Sequence, residues 1–391
     1  FIFCVLEEGV LLMKKKRSQI VAGHVTKILS ITIVAVLAIN LLAPDKKTSL
    51  EENRNLQTFP AFSMTDLVQG KYTKDISKWF SDQFVARNTF IHGKYLLQKL
   101  EGTKKIDDVY LAHDQLLEDL ASVNEEQLQR NLDAINSFSV NYSANAYFML
   151  VPNAAYIQED RLPKNASVLD QEAQMNDIYQ RLDSKIQNID LRSSFKEKKD
   201  ESLYYSSDHH WTSLGCYYAF NQYLETIGET ATTNEDYQIY TVSNSFEGTL
   251  AKKVGSVGIK DTIEVYVPKN NPDYLVTNET TQKKSRSLYN SSAIDSQNQY
   301  DVFLSGNAGQ IQIETNAQSE RHLLLIKDSY ANAFIPFLLP YYRTITVVDP
   351  RYYYDDIDRL YRLNIITDVL FLYNANTFVQ DTSIADVLSV E

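Results

Sequence analysis

Cysteine is almost absent from this 391-residue chain, with only Cys4 and Cys216 present. The pair forms no metal-type spacing, and Cys4 lies ahead of the expected folded part, so a disulfide framework is excluded. Low cysteine leaves the compartment open, because many bacterial surface proteins do without disulfides. Basic runs are absent beyond the N-terminus, and the net charge is −12. A chain that grips phosphates needs a basic face, so nucleic acid is excluded as a partner. There is no glycine-rich nucleotide fingerprint and no internal repeat. The glycines that flank the serine of a nucleophile elbow are also missing.

What is present is the composition of a folded protein, 44% apolar and 23% charged, unlike that of a disordered chain. The length suits one large domain or two modest ones. The 26 tyrosines are read as interior and rim packing, although tyrosine-rich clefts also hold sugars.

Met13 followed by Lys14, Lys15, Lys16 and Arg17 reads as a true start. Residues 1–12 then read as an upstream extension that is not native. The run "ILSITIVAVLAINLLA", Ile28 to Ala43, carries no charge. Extended back to Ile20 it is long enough for a spanning helix, which needs about 20 residues. Positive charge ahead of the run predicts a cytoplasmic N-terminus and an exported remainder. The end "NLLAPDKK" has no A-x-A site, which favours an anchor over a cleaved signal peptide. The expected division is therefore a basic start and transmembrane anchor at 13–43, a linker at 44–63 and one catalytic-type domain at 64–391.

Within that domain, apolar residues at helical spacing predict helices over 64–100. "DDVYLAHDQLLED" (107–119) resembles a short strand and turn. Strands and helices then alternate. Helices are predicted over 124–142, with Asn124 as cap, and over 170–187, 212–228, 329–342 and 355–364. Strands are predicted at 146–152, 189–195, 322–328, 344–350 and 368–374. Residues 234–320 break the pattern and read as a large, partly antiparallel β insertion. The alternation implies an α/β fold with a parallel central sheet covered on both faces. Catalytic groups in such sheets sit at the carboxyl ends of strands.

Two segments carry chemistry. "SSDHHWTSLG" contains Asp208, His209, His210 and Trp211, and "LLLIKDSYANAF" places Ser329 between a strand and a helix. A serine nucleophile needs a base, and the base needs an orienting partner. N–H groups at a helix start can stabilise an oxyanion. Each element also has a plainer reading. Ser329, Asp208 and Thr212 could be helix caps, and paired histidines are commonly structural. Asp208, His209 and His210 could bind metal, but a third ligand with suitable spacing is not evident, so no metal is expected.

"YYSSDHHWTSLGCYYAF" resembles the signature of the DHHW protein family, found in many Firmicutes. That family is similar to the alginate O-acetylation proteins, whose counterpart motif is Asp-Thr-His-Trp. These are SGNH-hydrolase-like proteins with a permuted order, Asp and His before Ser, as here. "LVPNAAYIQEDRLP" and the segment after Ser329 also resemble the family's, and the likeness spans about 64–380. It implies a flavodoxin/SGNH-like three-layer sandwich. It makes Ser329 the nucleophile, His210 the base and Asp208 its orienting group. His209 stands where the alginate proteins have threonine. Candidate oxyanion or substrate donors are the Ser329 and Tyr330 N–H groups, Asn307 and Asn153. The implied function is extracytoplasmic acetyl transfer to a cell-surface or exported polysaccharide, with no cofactor. The implied partner is a multi-pass acyltransferase of the MBOAT type, and the implied place is a Gram-positive cell membrane. A carbohydrate esterase with the same triad, or a non-catalytic polysaccharide-binding or assembly protein, are the alternatives.

Overall fold

The structure, a computed structural model, describes residues 2–49 and 54–389. It forms two compact units, Phe1–Gly93 and Lys94–Glu391.

The first unit opens with the helix Ile2–Leu42. Its stretch Val21–Leu42 is long and apolar enough to cross a membrane and is almost wholly unburied. A core helix would hide that surface; a bilayer would cover it. The side chains of Cys4, Met13 and the basic cluster 14–17 lie outside the described residues. The helices Met64–Val68 and Lys71–Gln83 follow.

The second unit is built on an eight-stranded sheet. In chain order its strands are β1 (Asn145–Val151), β2 (Ile186–Asp190), β3 (Tyr274–Asn278), β4 (Lys283–Ser285), β5 (Gln310–Thr315), β6 (His322–Lys327), β7 (Thr344–Val348) and β8 (Asp368–Asn374). Across the sheet the order is β4-β3-β5-β7-β6-β8-β1-β2. The five strands β7, β6, β8, β1 and β2 are parallel, and β5, β3 and β4 extend the β7 edge antiparallel. The expected α/β fold with a parallel central sheet is borne out.

Period-two alternation explains why the parallel strands read as unbroken apolar runs. In β6, Leu323 and Leu325 face one core with Phe220 and Tyr223, whereas Leu324 and Ile326 face a second core with Leu132 and Phe138. All four are fully buried, and each such side chain contributes about 1.5–3 kcal/mol of burial free energy. The second core holds the helix Glu125–Asn141, which Asn124 caps by accepting from the Gln127 N–H.

Three expected elements differ, the first being the helix over 170–187, which stops at Arg181 before β2 begins at Ile186. Residues 189–195 are not one strand: β2 ends at Asp190 and the helix Arg192–Glu197 follows. The Asp190 carboxylate accepts from the Arg192 N–H and side chain, which turns the chain out of the sheet. Residues 329–342 are not one helix either. They form a 3-10 turn, Ser329–Ala333, then one α-turn, Ile335–Leu338. Asp328 caps that turn through the Tyr330 N–H. Pro336, at the start of the α-turn, has no N–H to continue the earlier ladder.

Candidate active site

Ser329 follows the carboxyl end of β6 by two residues. Its place is fixed by Asp328, which is fully buried. One Asp328 oxygen accepts from the Tyr330 N–H at 2.9 Å, and the other from the Asn374 N–H at the end of β8 at 2.8 Å. The Ser329 position is thus tied to two adjacent strand ends. Burial raises the pKa of the Asp328 carboxyl.

The imidazole comes from a different part of the chain. Residues 206–210 form a loop, and Tyr204 bridges Trp211 across it. His210 Nε2 lies 2.8 Å from Ser329 Oγ. His210 Nδ1 lies 2.5 Å from Asp208 Oδ1, which also accepts from the His210 N–H at 2.9 Å. Since an ionised carboxylate only accepts, the proton between them sits on Nδ1 and leaves Nε2 as the acceptor for the serine hydroxyl. Asp208 is buried, yet His210, His209 and the Thr249 N–H hold its carboxyl well below the usual range. Burial, and then the neighbouring His209, push His210 down to about 4. Its imidazole is therefore neutral across the physiological range. The Tyr300 ring stacks on it, with centroids 3.9 Å apart and planes within 12°.

Four contributors escaped the sequence reading. The second Asp208 oxygen accepts from Thr249 N at 2.7 Å and from Thr249 Oγ at 3.0 Å. Thr249 Oγ also lies 2.6 Å from His209 Nδ1. The hydroxyl has one proton, which goes to the carboxylate, so His209 donates from Nδ1. Gly248 makes this approach possible: a Cβ there would lie 2.2 Å from the Asp208 Cβ. Tyr300 and Arg351 are the other two. "EGTLAKK" (247–253) resembles any helix start, and no spacing rule links it to the histidines.

The remaining predicted residues are also placed. The Tyr330 N–H is held by Asp328, its carbonyl accepts from Trp211 Nε1 at 2.8 Å, and its hydroxyl donates to the His209 carbonyl. Asn153 is buried and donates to Asn374, while its oxygen accepts from Gln171. Asn307 is exposed. Its Oδ1 accepts from Lys327 Nζ at 2.9 Å and from Asn332 Nδ2 at 3.2 Å. Lysine can only donate, so the Asn307 oxygen faces it and the amide N–H pair points away. Lys327 is itself fully buried against Asp349 at 3.2 Å. Its ammonium pKa is lowered, by burial.

Asp349 also takes both prongs of Arg351, at 2.7 and 2.8 Å. Arg351 and His209 line an open pocket of about 390 Å³ with Glu118, Asn376 and Thr377. Asp208, His209 and His210 are the one metal-type cluster among the described residues. A metal there would displace hydrogen bonds that each of them already makes.

The DHHW protein family matches residues 52–135 and 120–348. No curated protein matches the chain. A crystal structure of a DHHW family protein from Eubacterium siraeum is 25% identical, with a TM-score of 0.61 over 73% of this chain and 99% of that one. Bacillus cereus PatB1, solved with a sulfonyl adduct, is 22% identical, with a TM-score of 0.61 over 71% of this chain and 97% of its own. The O-acetyltransferase domain of Pseudomonas putida AlgJ is more distant, at 12% identity and a TM-score of 0.45 over 71% of this chain and 94% of that one. The matched residues include the Asp208–Trp211 tetrad and Ser329, and the chain belongs to the DHHW protein family.

Proposed function

We propose that this protein transfers an acyl group, acetyl by resemblance, to a polysaccharide outside the cytoplasm through Ser329, His210 and Asp208. The carrying observation is the unbroken hydrogen-bonded chain from Asp208 through His210 to Ser329 Oγ. His210 Nε2 takes the hydroxyl proton as Ser329 Oγ attacks the acyl carbonyl. The bond to the donor oxygen breaks, and that oxygen leaves with the proton from His210. A sugar hydroxyl then gives its proton to His210 and attacks the acyl-serine, and the departing Ser329 Oγ takes that proton back from His210. The Ser329 N–H and the outward amide of Asn307 are the proposed oxyanion donors. Asp208 keeps the imidazole in the required tautomer.

Support for acetyl and for polysaccharide comes from the motif order shared with the alginate O-acetylation proteins. By the same resemblance, an MBOAT-type membrane protein is the proposed donor-side partner and a Gram-positive envelope the proposed setting. The basic residues ahead of the apolar stretch support an inside N-terminus.

The test uses the full chain in detergent with an acetyl-ester chromogen, with and without an oligosaccharide. Acetylated sugar supports transfer, and acetate alone supports the esterase reading. Ser329→Ala lowers turnover at least ~10⁴-fold and leaves the circular dichroism spectrum unchanged. A sulfonyl fluoride modifies the wild type at Ser329 and leaves the alanine variant unlabelled. An alanine variant that still complements a deletion strain would instead mark an assembly protein.

A further inference from the structure

The end of the apolar helix is fastened to the segment after it. Asn40, two residues from the end, accepts from the Val85 N–H at 2.7 Å. Asp45 accepts from the Phe59 N–H at 2.7 Å and from Trp79 Nε1 at 2.9 Å. Gln83 both accepts from the Lys46 N–H and donates to the Lys46 carbonyl. These bonds hold the helix Lys71–Gln83 and its exit turn at the mouth of Val21–Leu42. A helix rises 1.5 Å per residue, so Val85 is bonded within about 3 Å of where the apolar stretch stops.

A continuous aromatic row lies there. Phe59 packs on Trp79, Trp79 on Phe80, Phe80 on Phe84 and Phe84 on Phe90, with centroids 5.0–6.4 Å apart. Yet Phe59 is 58% exposed and Phe90 63%. Single exposed apolar residues are ordinary, whereas Phe59, Phe80 and Phe90, exposed around the buried Trp79 and the half-buried Phe84, form a patch that marks a partner. Charge points to the same partner. Residues 43–93 carry 7 basic and 6 acidic side chains, against 26 and 42 in residues 94–391. Lys46, Lys47, Lys71, Lys74 and Lys78 are all exposed.

We propose that residues 56–93, fastened to the end of the apolar helix, form a second, interfacial anchor. Phe59, Phe80, Val85 and Phe90 enter the bilayer at headgroup depth, and the surrounding lysines meet anionic lipid phosphates. The proposal rests on Val21–Leu42 spanning the membrane and is independent of the acyl chemistry.

The test places nitroxide labels in the full chain, in a C4S background, in nanodiscs containing phosphatidylglycerol. Label sites are Phe59→Cys, Phe80→Cys, Phe90→Cys, Lys74→Cys and Leu37→Cys. Oxygen and a water-soluble nickel chelate serve as relaxing agents. The oxygen-to-nickel accessibility ratio is expected several-fold higher at 59, 80 and 90 than at 74, and highest at 37. Aqueous values at 59, 80 and 90 with a lipid value at 37 overturn the anchor and leave the span. An aqueous value at 37 removes the span and the anchor together. Low access to both agents at 59 and 90 means that a second copy covers the row, and also overturns the proposal.

Discussion

Ser329 stands after a strand in which Leu323 through Ile326 are wholly buried. Thr249, which holds Asp208, opens a six-residue helix inside the polar segment 234–320. The first position is set by a sheet with two cores; the second depends on one close approach, Gly248 on Asp208. The parallel half of the second unit therefore supplies rigidity, and segment 234–320 supplies alignment. Thr249, Tyr300 and Asn307 all come from that segment. A site assembled this way should lose stability when one side is damaged and turnover when the other is.

The largest effect expected is on the rigid side. Lys327→Met leaves Asp349 buried with one cation fewer, and breaking such a pair costs about 3–5 kcal/mol. Denaturant unfolding should show that loss as a lower midpoint. An unchanged midpoint would falsify the assignment of stability to the parallel half. Gly248→Ala comes next. Its methyl must push Asp208 aside, and a displacement of about 1 Å in a catalytic group costs ~100-fold in rate. Turnover of the acetyl ester should fall by that factor with the far-ultraviolet spectrum intact; equal losses of fold and rate would erase the contrast.

Thr249→Val keeps the backbone N–H on Asp208 and deletes the hydroxyl. A ~10-fold drop in kcat is expected from losing one hydrogen bond to a charged group, with the midpoint barely moved. The smallest effect is on pH dependence. As the proposed base His210 acts when neutral, and burial with His209 beside it lowers it to about 4. Activity is therefore expected to persist below the usual histidine range and to be lost as pH falls through about 4. His209→Gln removes the neighbour that helps to lower His210 and should move that acid limb upward. A limb near 6.5 in the wild type would show that the imidazole is not shielded as described.

The same contrast explains what could be read from the chain alone. Strands β1, β6, β7 and β8 announced themselves because burial on both faces makes the runs almost wholly apolar. Asp208, His210 and Ser329 stood out because residue type and local setting go together. Gly248 and Thr249 did not, since their meaning lies in contact with a loop 40 residues earlier, and no periodicity records such contact. Asp190 and Asp328 misled the element boundaries for a related reason. Each bonds backbone N–H groups just beyond its strand, a choice that apolar patterning cannot register.

The 2.5 Å contact between His210 and Asp208 lies where neither group is more than 4% exposed. Solvent has almost no route to the proton held there, so its exchange with bulk water is slow. It should give a discrete, far-downfield resonance in a one-dimensional proton spectrum, well apart from the amide envelope. That single line offers a label-free view of the imidazole, and following it through an acyl-donor titration would report the state of the nucleophile in the intact protein.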